Sequence, residues 1–266
     1  MNRPETPVIP DVHSHPDARS LAIDRVGIRS LRYPIRFADG RAPAQPTIAT
    51  CSLSVALPAE QKGTHMSRLV AVIDELGEPL SLARLPALLA TLLTRLDAKS
   101  ASIAIEFPWF RRKAAPVSGV ESLMDYEVKL RAEAIDGARR VTVTAIVPVM
   151  SLCPSSKALA DYGAHNQRSH LTLAVRPRDP GSITLEELIA VAEDEASCEL
   201  YGILKRADEK YVTERAYDHP RFVEDLVRGI AARLTGDARF EGFRVEAENF
   251  ESIHNPSAYA CIDRGA

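Results

Sequence analysis

Apolar and polar residues alternate in two long segments near the start of the chain. The first segment covers residues 24–38, and the second covers residues 46–58, where Cys51, Leu53 and Val55 take every second position. A period of two is typical of a strand with one buried face. The turn-rich sequence A-D-G-R-A-P separates the segments, so we predict an antiparallel pair.

Helical and strand patterns follow in a similar order through both halves of the chain. The predicted helices, where apolar residues recur at helical spacing, are residues 62–75, 81–97, 184–196 and 222–234. The predicted strands are residues 100–107, 120–135, 139–149, 169–176 and 243–252. The sequence D-G-A between the second and third of these strands indicates a hairpin, and the last strand is expected to close the fold.

These elements predict an α+β fold of two similar halves, each an antiparallel sheet with helices on one face. Residues 1–20 lack periodicity and are expected to form a flexible N-terminal arm. His13 and His15 lie in this arm, which is more typical of a tail than of a metal site. We predict one unit over residues 21–150 and a second over residues 151–266.

Composition narrows the class of protein. A length of 266 residues with 45% hydrophobic content is enough for one large or two small cores. A net charge of −3 argues against a nucleic-acid partner, although the basic runs 111–113 and 205–206 could hold a small anion. The four cysteines form no C-x-x-C pair, and no apolar segment resembles a signal peptide or a membrane helix. We therefore expect a reduced, cytoplasmic protein without a membrane partner.

A cysteine and a histidine are the strongest chemical candidates. Cys153 lies in S-L-C-P-S-S-K after a predicted strand, and His165 follows twelve residues later in H-N-Q-R-S-H. Thiolate and imidazole are the side chains that bind Zn²⁺ most readily. If a short loop brings them together, we expect a hydrolytic metal site, although each alone would be an ordinary half-buried side chain. His254, at the end of the predicted closing strand, is also placed to enter a cleft.

Carboxylates that could complete such a site lie in the charged run 204–225. Glu209 and Glu214 belong to this run, most of which is expected to be solvated surface. Glu224 opens an amphipathic helix, where its carboxylate can accept two N–H donors, as guanine presents them, or can simply favour the helix dipole.

Cationic and hydroxyl groups that suit phosphates occur in two places. Lys62, His65 and Arg68 lie at a predicted helix start, an arrangement suited to anions but equally typical of a solvated helix end. Arg168 follows His165 and offers a planar fork for phosphate or carboxylate. The Walker A pattern G-x-x-x-x-G-K-[ST] is missing, so no P-loop NTPase is predicted.

Taken in order, several segments resemble the B-type GTP cyclohydrolase I family of prokaryotes. The matching segments are Q-K-G-T-H-M-S-R, S-L-C-P-S-S-K, H-N-Q-R-S, L-K-R-A-D-E-K-Y-V-T-E-R-A-Y, P-R-F-V-E-D and S-I-H-N-P-S-A-Y, which together span residues 61–259. The resemblance implies a tunnelling fold of two tandem units and a homotetramer with active sites between subunits. It also implies hydrolytic opening of GTP at C8, which gives 7,8-dihydroneopterin triphosphate and formate, the first step of tetrahydrofolate biosynthesis.

The resemblance implies roles for individual residues. The metal ligands would be Cys153, His165, Glu209 and His254, with Glu214 as the alternative carboxylate. Zn²⁺ or Mn²⁺ would be the metal, and it would supply hydroxide near neutral pH. The catalytic residues would be Cys153, His165 and His254, one histidine moving protons. Glu224 would hold guanine, while Lys62, His65, Arg68 and Arg168 would contact the triphosphate.

Two other functions remain possible on the sequence alone. A related tunnelling-fold nitrile reductase would use Cys153 as a covalent nucleophile, which would leave the histidines and glutamates without a shared metal. A purine-nucleotide-binding module without catalysis would need Glu224 but not the cysteine and histidines. Metal content would distinguish the cyclohydrolase from both alternatives.

Overall fold

The structure, a computed structural model, describes His13 and residues 16–265. Most of the predicted arm over residues 1–20, including His15, lies outside the described residues. The described part of the arm contacts the segment before the first helix: Pro16 pairs with Gln61, and the Gly63 N–H donates to the His13 carbonyl at 3.2 Å.

The order of elements is similar in the two halves. The first half consists of β1 (Ile23–Phe37), β2 (Gln45–Leu57), α1 (Met66–Asp74), α2 (Leu85–Arg95), β3 (Ala101–Ala114) and β4 (Glu121–Ile135). The second half consists of β5 (Ala138–Leu152), α3 (Pro154–Leu159), β6 (Asn166–Pro177), α4 (Leu185–Glu195), β7 (Cys198–Glu199), α5 (Arg206–Asp218), α6 (Val223–Thr235), β8 (Phe240–Asn249) and β9 (Ala258–Asp263). The predicted hairpin is present as β4 and β5.

All of these strands belong to one antiparallel sheet in the described part of the chain. Their order is β1-β2-β3-β4-β5-β6-β8-β9, and the short β7 pairs with the end of β5. The predicted α+β class is confirmed. The division of the chain into units at residues 150 and 151 stays a prediction, because one continuous sheet joins both halves.

The core lies between the sheet and the helices α1, α2, α4 and α6. Successive strand residues point to opposite faces, so every second position of β5, from Val143 to Val149, is fully buried against the helices. A fully buried side chain of this kind contributes about 1.5–3 kcal/mol. The alternation read from the sequence therefore defines the face that the helices cover.

The start of α4 is held by residues of both halves. Thr184 and Glu187 form a capping box, in which the Thr184 hydroxyl accepts from the Glu187 N–H at 3.1 Å. Asp39, which follows β1, accepts from the Leu185 N–H at 2.8 Å and from the Glu186 N–H at 3.1 Å. A carboxylate at a helix N-terminus satisfies unpaired N–H groups and favours the dipole, so this contact fixes the second half on the first.

A buried group of charges also joins the halves. Lys113 Nζ donates to Glu193 Oε1 at 2.7 Å, and the Tyr126 hydroxyl donates to the same oxygen at 2.8 Å. Arg111 Nη1 lies 3.1 Å from Glu193 Oε2. We call Arg111, Lys113, Tyr126 and Glu193 the Glu193 cluster. Because both cations have a carboxylate partner, the prediction that this basic run holds a small anion is wrong for Arg111 and Lys113.

Two helices of the second half, the short α3 and the longer α5, were not predicted from the sequence. In α5, Asp208, Val212 and Ala216 are buried at helical spacing, but the remaining positions are mostly exposed and charged. Val212 and Ala216 pack with Leu152 and Met150, whose side chains leave β5 on the face opposite to the main core. α5 is thereby placed beside the end of β5, where Cys153 follows.

The last predicted strand, residues 243–252, lies three residues earlier than expected and does not close the fold. β8 ends at Asn249, and the edge strand β9 follows the loop 250–257. His254 therefore lies in a loop between two strands and not at a strand terminus. The sequence analysis missed β9 because only six residues form it, and they are half-buried at alternate positions without being strongly apolar.

Candidate active site

The structure brings Cys153 and His165 together. Leu152 pairs with Asn166 at the loop end of the β5–β6 hairpin. One step further, the Cys153 N–H donates to the His165 carbonyl at 3.1 Å. The loop between the two residues therefore begins and ends at paired positions, as expected for a loop that places both residues at one site.

Ser156 stabilises the two ends of this loop. Its N–H donates to Cys153 Sγ at 3.4 Å, and its hydroxyl accepts from the His165 N–H at 3.1 Å. Pro154 occupies the first turn of α3, where its missing N–H costs no hydrogen bond. The thiol is half-buried and faces the start of this short helix.

The His165 ring is oriented through Nδ1. This nitrogen lies 3.0 Å from Gln167 Oε1 and 3.4 Å from Ser252 Oγ. An amide oxygen only accepts hydrogen bonds, so Nδ1 carries a proton, and in the neutral ring Nε2 then keeps its lone pair. Ser252 belongs to the loop 250–257, and His254 lies two residues further along the same loop, with an exposed side chain.

A buried chain of uncharged side chains continues behind His165. Gln167 Nε2 donates to Ser151 Oγ at 2.6 Å, and Ser151 Oγ lies 2.8 Å from Ser169 Oγ. Ser169 donates to Asn249 Oδ1 at 2.7 Å. We call Gln167, Ser151, Ser169 and Asn249 the Gln167 chain; none of the four is more than 8% exposed.

The sequence analysis did not assign these four residues to the site. One signal was present: in H-N-Q-R-S, residues 165, 167 and 169 share one face of β6, so the polar side chains follow the histidine into the core. Ser151 and Asn249 join them only through the pairing of β5, β6 and β8, which the local pattern does not reveal.

Arg168 points away from the Gln167 chain, because it occupies the alternate position of β6. Its side chain is exposed, and its carbonyl accepts from the Phe250 N–H at 3.0 Å. Arg168 therefore lies next to the loop that carries Ser252 and His254, at the same end of the sheet as Cys153.

The candidate carboxylates remain outside this arrangement. Glu209 is exposed on α5, and Glu214 is bound by Lys210 at 2.6 Å on the same helix. Glu224 is exposed in the first turn of α6, three residues after Arg221, whose N–H donates to the Leu152 carbonyl at 3.0 Å. Over residue 13 and residues 16–265, no group of three or more histidines, cysteines and carboxylates is arranged to hold a metal ion.

Asp208, directly before Glu209, has a structural role that the sequence did not indicate. It accepts from the N–H groups of Val117 and Ser118 at 2.8 Å each, from the Ser118 hydroxyl at 2.6 Å and from the Lys205 N–H at 2.8 Å. Loss of hydration would raise the pKa of Asp208, but these donors outweigh it and hold the pKa well below its ordinary value. Asp208 thus fixes the start of α5 against the β3–β4 turn.

Three of the four candidate phosphate-binding residues, all except Arg168, lie far from Cys153 within one chain. Lys62, His65 and Arg68 surround the start of α1, soon after the end of β2. The strand register connects Val55 through β3 and β4 to Arg139, at the beginning of β5. Cys153 follows the other end of β5, whose 15 residues span on the order of 50 Å. The structure therefore does not bring this group together with Cys153 and His165.

The described residues include no helix that is both long and apolar enough to cross a membrane.

Among solved structures, the chain resembles uricase from Arthrobacter globiformis, with a TM-score of 0.54 and 9% identity over 90% of this chain and 93% of that one. At such low identity the likeness concerns the fold alone, and it confirms the predicted tunnelling fold.

Sequence comparison gives a closer relationship. The family described as type I GTP cyclohydrolase folE2 matches residues 9–260. GTP cyclohydrolase FolE2 of Cupriavidus necator is 55% identical over 259 residues, which cover 97% of this chain and 95% of that protein. GTP cyclohydrolase FolE2 of Paraburkholderia xenovorans is 54% identical over 257 residues, with the same coverage. The chain belongs to the type I GTP cyclohydrolase FolE2 family, as the motifs predicted.

Proposed function

We propose that this chain hydrolyses GTP at C8 of the guanine ring and releases formate and 7,8-dihydroneopterin triphosphate, as the first step of tetrahydrofolate biosynthesis in the cytoplasm. Family membership over residues 9–260 supports a GTP cyclohydrolase. The observation that carries the assignment to a site is the Cys153–His165 pair, whose backbone hydrogen bond brings a thiol-bearing and an imidazole-bearing residue together at the end of one hairpin.

The donors present at this site fit a divalent metal ion. Cys153 Sγ is half-buried, and His165 presents Nε2 because Gln167 occupies Nδ1. This is the arrangement that metal-binding histidines usually show. We propose that His254 and Glu209 complete the ligand set, in which sulfur and nitrogen suit Zn²⁺ and the carboxylate makes Mn²⁺ acceptable. When bound, such an ion acts as a Lewis acid and makes hydroxide available near neutral pH.

The protein's own residues position GTP for this reaction. The exposed carboxylate of Glu224, which has two acceptor oxygens, matches the N1–H and amino donors of guanine. Arg168, at the same end of the sheet as Cys153, offers a guanidinium for phosphate oxygens. A histidine that is not fully engaged in metal binding, His165 or His254, would move protons at N7 and at the ribose oxygen.

We also propose a homotetramer with sites between subunits, which the same geometry supports. Lys62, His65 and Arg68 contact the triphosphate only if the group comes from another subunit, because β5 separates it from Cys153 in the same chain. Strands β1 and β9 are the edges of the sheet, and each has one side that pairs with no other strand among residues 16–265. Edge strands of this kind are available for pairing with another copy.

The activity is tested with chelator-stripped protein to which Zn²⁺ or Mn²⁺ is added back. Formate release and pterin fluorescence after oxidation report GTP turnover. We expect metal-dependent turnover in the wild type and in Cys261→Ala, a matched control that removes an exposed cysteine on β9. Cys153→Ala should lose more than about 100-fold in turnover, because a ligand is lost outright and not merely its support.

Two results would contradict the proposal. Absence of turnover with either ion, in protein that still binds GTP, would favour the binding module. Full turnover by Cys153→Ala would show that the reaction does not use this thiol.

A further inference from the structure

The Gln167 chain has a direction, and its direction decides which nitrogen of His165 carries the proton. A serine hydroxyl has a single hydrogen to donate. Ser169 donates its hydrogen to Asn249 Oδ1, so it accepts from Ser151. Ser151 in turn accepts from Gln167 Nε2. The remaining end of the Gln167 amide, Oε1, therefore faces His165 and requires hydrogen on Nδ1.

The opposite direction of the hydrogen bonds would place the proton of His165 on its other ring nitrogen. If the amide nitrogen of Asn249 faced Ser169, each hydroxyl would donate the other way, and Gln167 would present its N–H₂ group to His165. Nδ1 would then accept, and the proton would lie on Nε2, where it blocks the lone pair. The amide of Asn249, which lies on β8, is thus coupled to the free nitrogen of His165 through three intervening side chains.

Burial gives this coupling its strength. Ser151 and Ser169 are 0% exposed, Asn249 is 4% exposed and Gln167 is 8% exposed. Water has little access to reverse a single link, and an unpaired buried polar group costs about 1–3 kcal/mol. Ser252, the second partner of Nδ1, is exposed and more distant at 3.4 Å. As an acceptor it supports the same protonation.

We propose that Gln167 is a positioning residue, and that Ser151, Ser169 and Asn249 orient its amide so that His165 keeps its proton on Nδ1 and its lone pair on Nε2. The proposal adds a positioning residue to the metal centre proposed above. Only the consequence of the proposal depends on that centre. That consequence is tighter metal binding, because the ligand nitrogen is available before the ion arrives. The histidine orientation itself is a property of the metal-free chain.

The direct test is ¹⁵N NMR of the full-length metal-free protein with labelled histidine imidazoles, at about pH 8.5, where a free imidazole is neutral. Subtracting the spectrum of His165→Asn identifies the signal of His165 among the seven histidines. We expect the pattern of a ring protonated at Nδ1 in the wild type. Gln167→Met, which removes the amide at similar length, should give a mixture of both forms or the Nε2-protonated form.

Substitutions along the chain separate orientation from a merely structural role. Gln167→Glu and Asn249→Asp retain oxygen acceptors at the critical positions and should retain the Nδ1-protonated ring. Asn249→Leu and Ser169→Ala should lose the preference for the Nδ1-protonated ring, although neither residue touches His165. If Gln167→Met fails to fold, Ser169→Ala carries the test alone, because it removes one hydroxyl and leaves Gln167 in place.

Metal affinity provides the second measurement. In titrations with Zn²⁺ alone, Gln167→Met should bind about 10- to 100-fold more weakly than the wild type, and Gln167→Glu should recover most of this loss. An unchanged His165 spectrum in Gln167→Met or, if that variant fails to fold, in Ser169→Ala would overturn the proposal. Loss of the Nδ1-protonated form in a protein that never binds metal would support the positioning role and contradict the metal centre instead.

Discussion

The protein contains two buried polar groupings that differ in one decisive respect. In the Glu193 cluster, the carboxylate receives Lys113, Arg111 and Tyr126, and Arg111 also lies 3.2 Å from Glu186 outside the cluster, so every charge has a partner of opposite sign. The Gln167 chain contains no charge, and one of its ends contacts the half-buried His165, which pairs with Cys153 through the backbone. Burial of polar groups is common to both. What distinguishes the candidate active site is an end at which a reactive atom, His165 Nε2, has no hydrogen-bond partner among the residues that the structure describes.

The physical consequences of the two arrangements also differ. Burial next to the negative Glu193 raises the pKa of Tyr126 well above its ordinary value, which keeps the hydroxyl a donor. The cluster therefore retains one state and joins β3 and β4 to α4. The Gln167 chain has two possible directions of nearly the same geometry, so it transmits an orientation as well as holding strands together.

The largest expected effect comes from opening the Glu193 cluster. Glu193→Leu leaves Lys113 buried without its carboxylate, and we expect a loss of about 3–5 kcal/mol in the free energy of unfolding. Ser169→Ala, in the Gln167 chain, should cost only about 1–3 kcal/mol, because no charge is left unpaired. Denaturant unfolding of both variants measures the difference.

Restoring the balance of charge provides the control for that prediction. The double variant Lys113→Met with Glu193→Leu should recover part of the lost stability, because apolar side chains of similar volume replace the central pair. Equal losses in Glu193→Leu and Ser169→Ala would contradict the distinction between a charged stabilising cluster and an uncharged orienting chain.

A smaller effect, confined to acid, is expected from Asp208. Hydrogen-bond donors lower the pKa of this carboxyl in the folded protein, so its stabilisation is present above the unfolded value of 3.8 and is lost as the pH falls below it. Asp208→Asn should therefore be less stable than the wild type at neutral pH, and the difference should shrink below about pH 4. Thermal unfolding across this range measures it.

A matched carboxylate shows whether the hydrogen bonds are responsible. Glu209→Gln changes the neighbouring carboxylate, whose exposed side chain makes no hydrogen bond or ion pair with the described residues, and should not alter the acid dependence of stability. A difference between Asp208→Asn and the wild type that stays constant from neutral to acid pH would contradict the role assigned to the lowered pKa.

Much of the sheet could be predicted because alternation along each strand matches burial on one face. The long strands β1, β2, β4 and β5 follow the sequence pattern closely. α5 and β9 could not be predicted, because three buried positions in a charged helix and a half-buried edge strand give little local signal. Position in the fold, and not local composition, determines these two elements.

The candidate site divides in the same way. Cys153 and His165 could be recognised from residue type and spacing, and the hairpin brings them together. The residues that support them could not, because Ser151 contacts Gln167, and Asn249 contacts Ser169, only through the register of β5, β6 and β8. The separation of Lys62, His65 and Arg68 from Cys153 likewise depends on sheet order, which no motif contains.

The measurement that tests the central claim most directly is a Co²⁺ titration of chelator-stripped protein, followed by absorption. A thiolate bound to Co²⁺ gives a charge-transfer band in the near ultraviolet. The account predicts this band in the wild type and in Cys261→Ala, its loss in Cys153→Ala and its weakening in His165→Asn. A band that survives Cys153→Ala, or none in a wild type that turns over GTP, would show that the metal centre is not formed by Cys153 and His165.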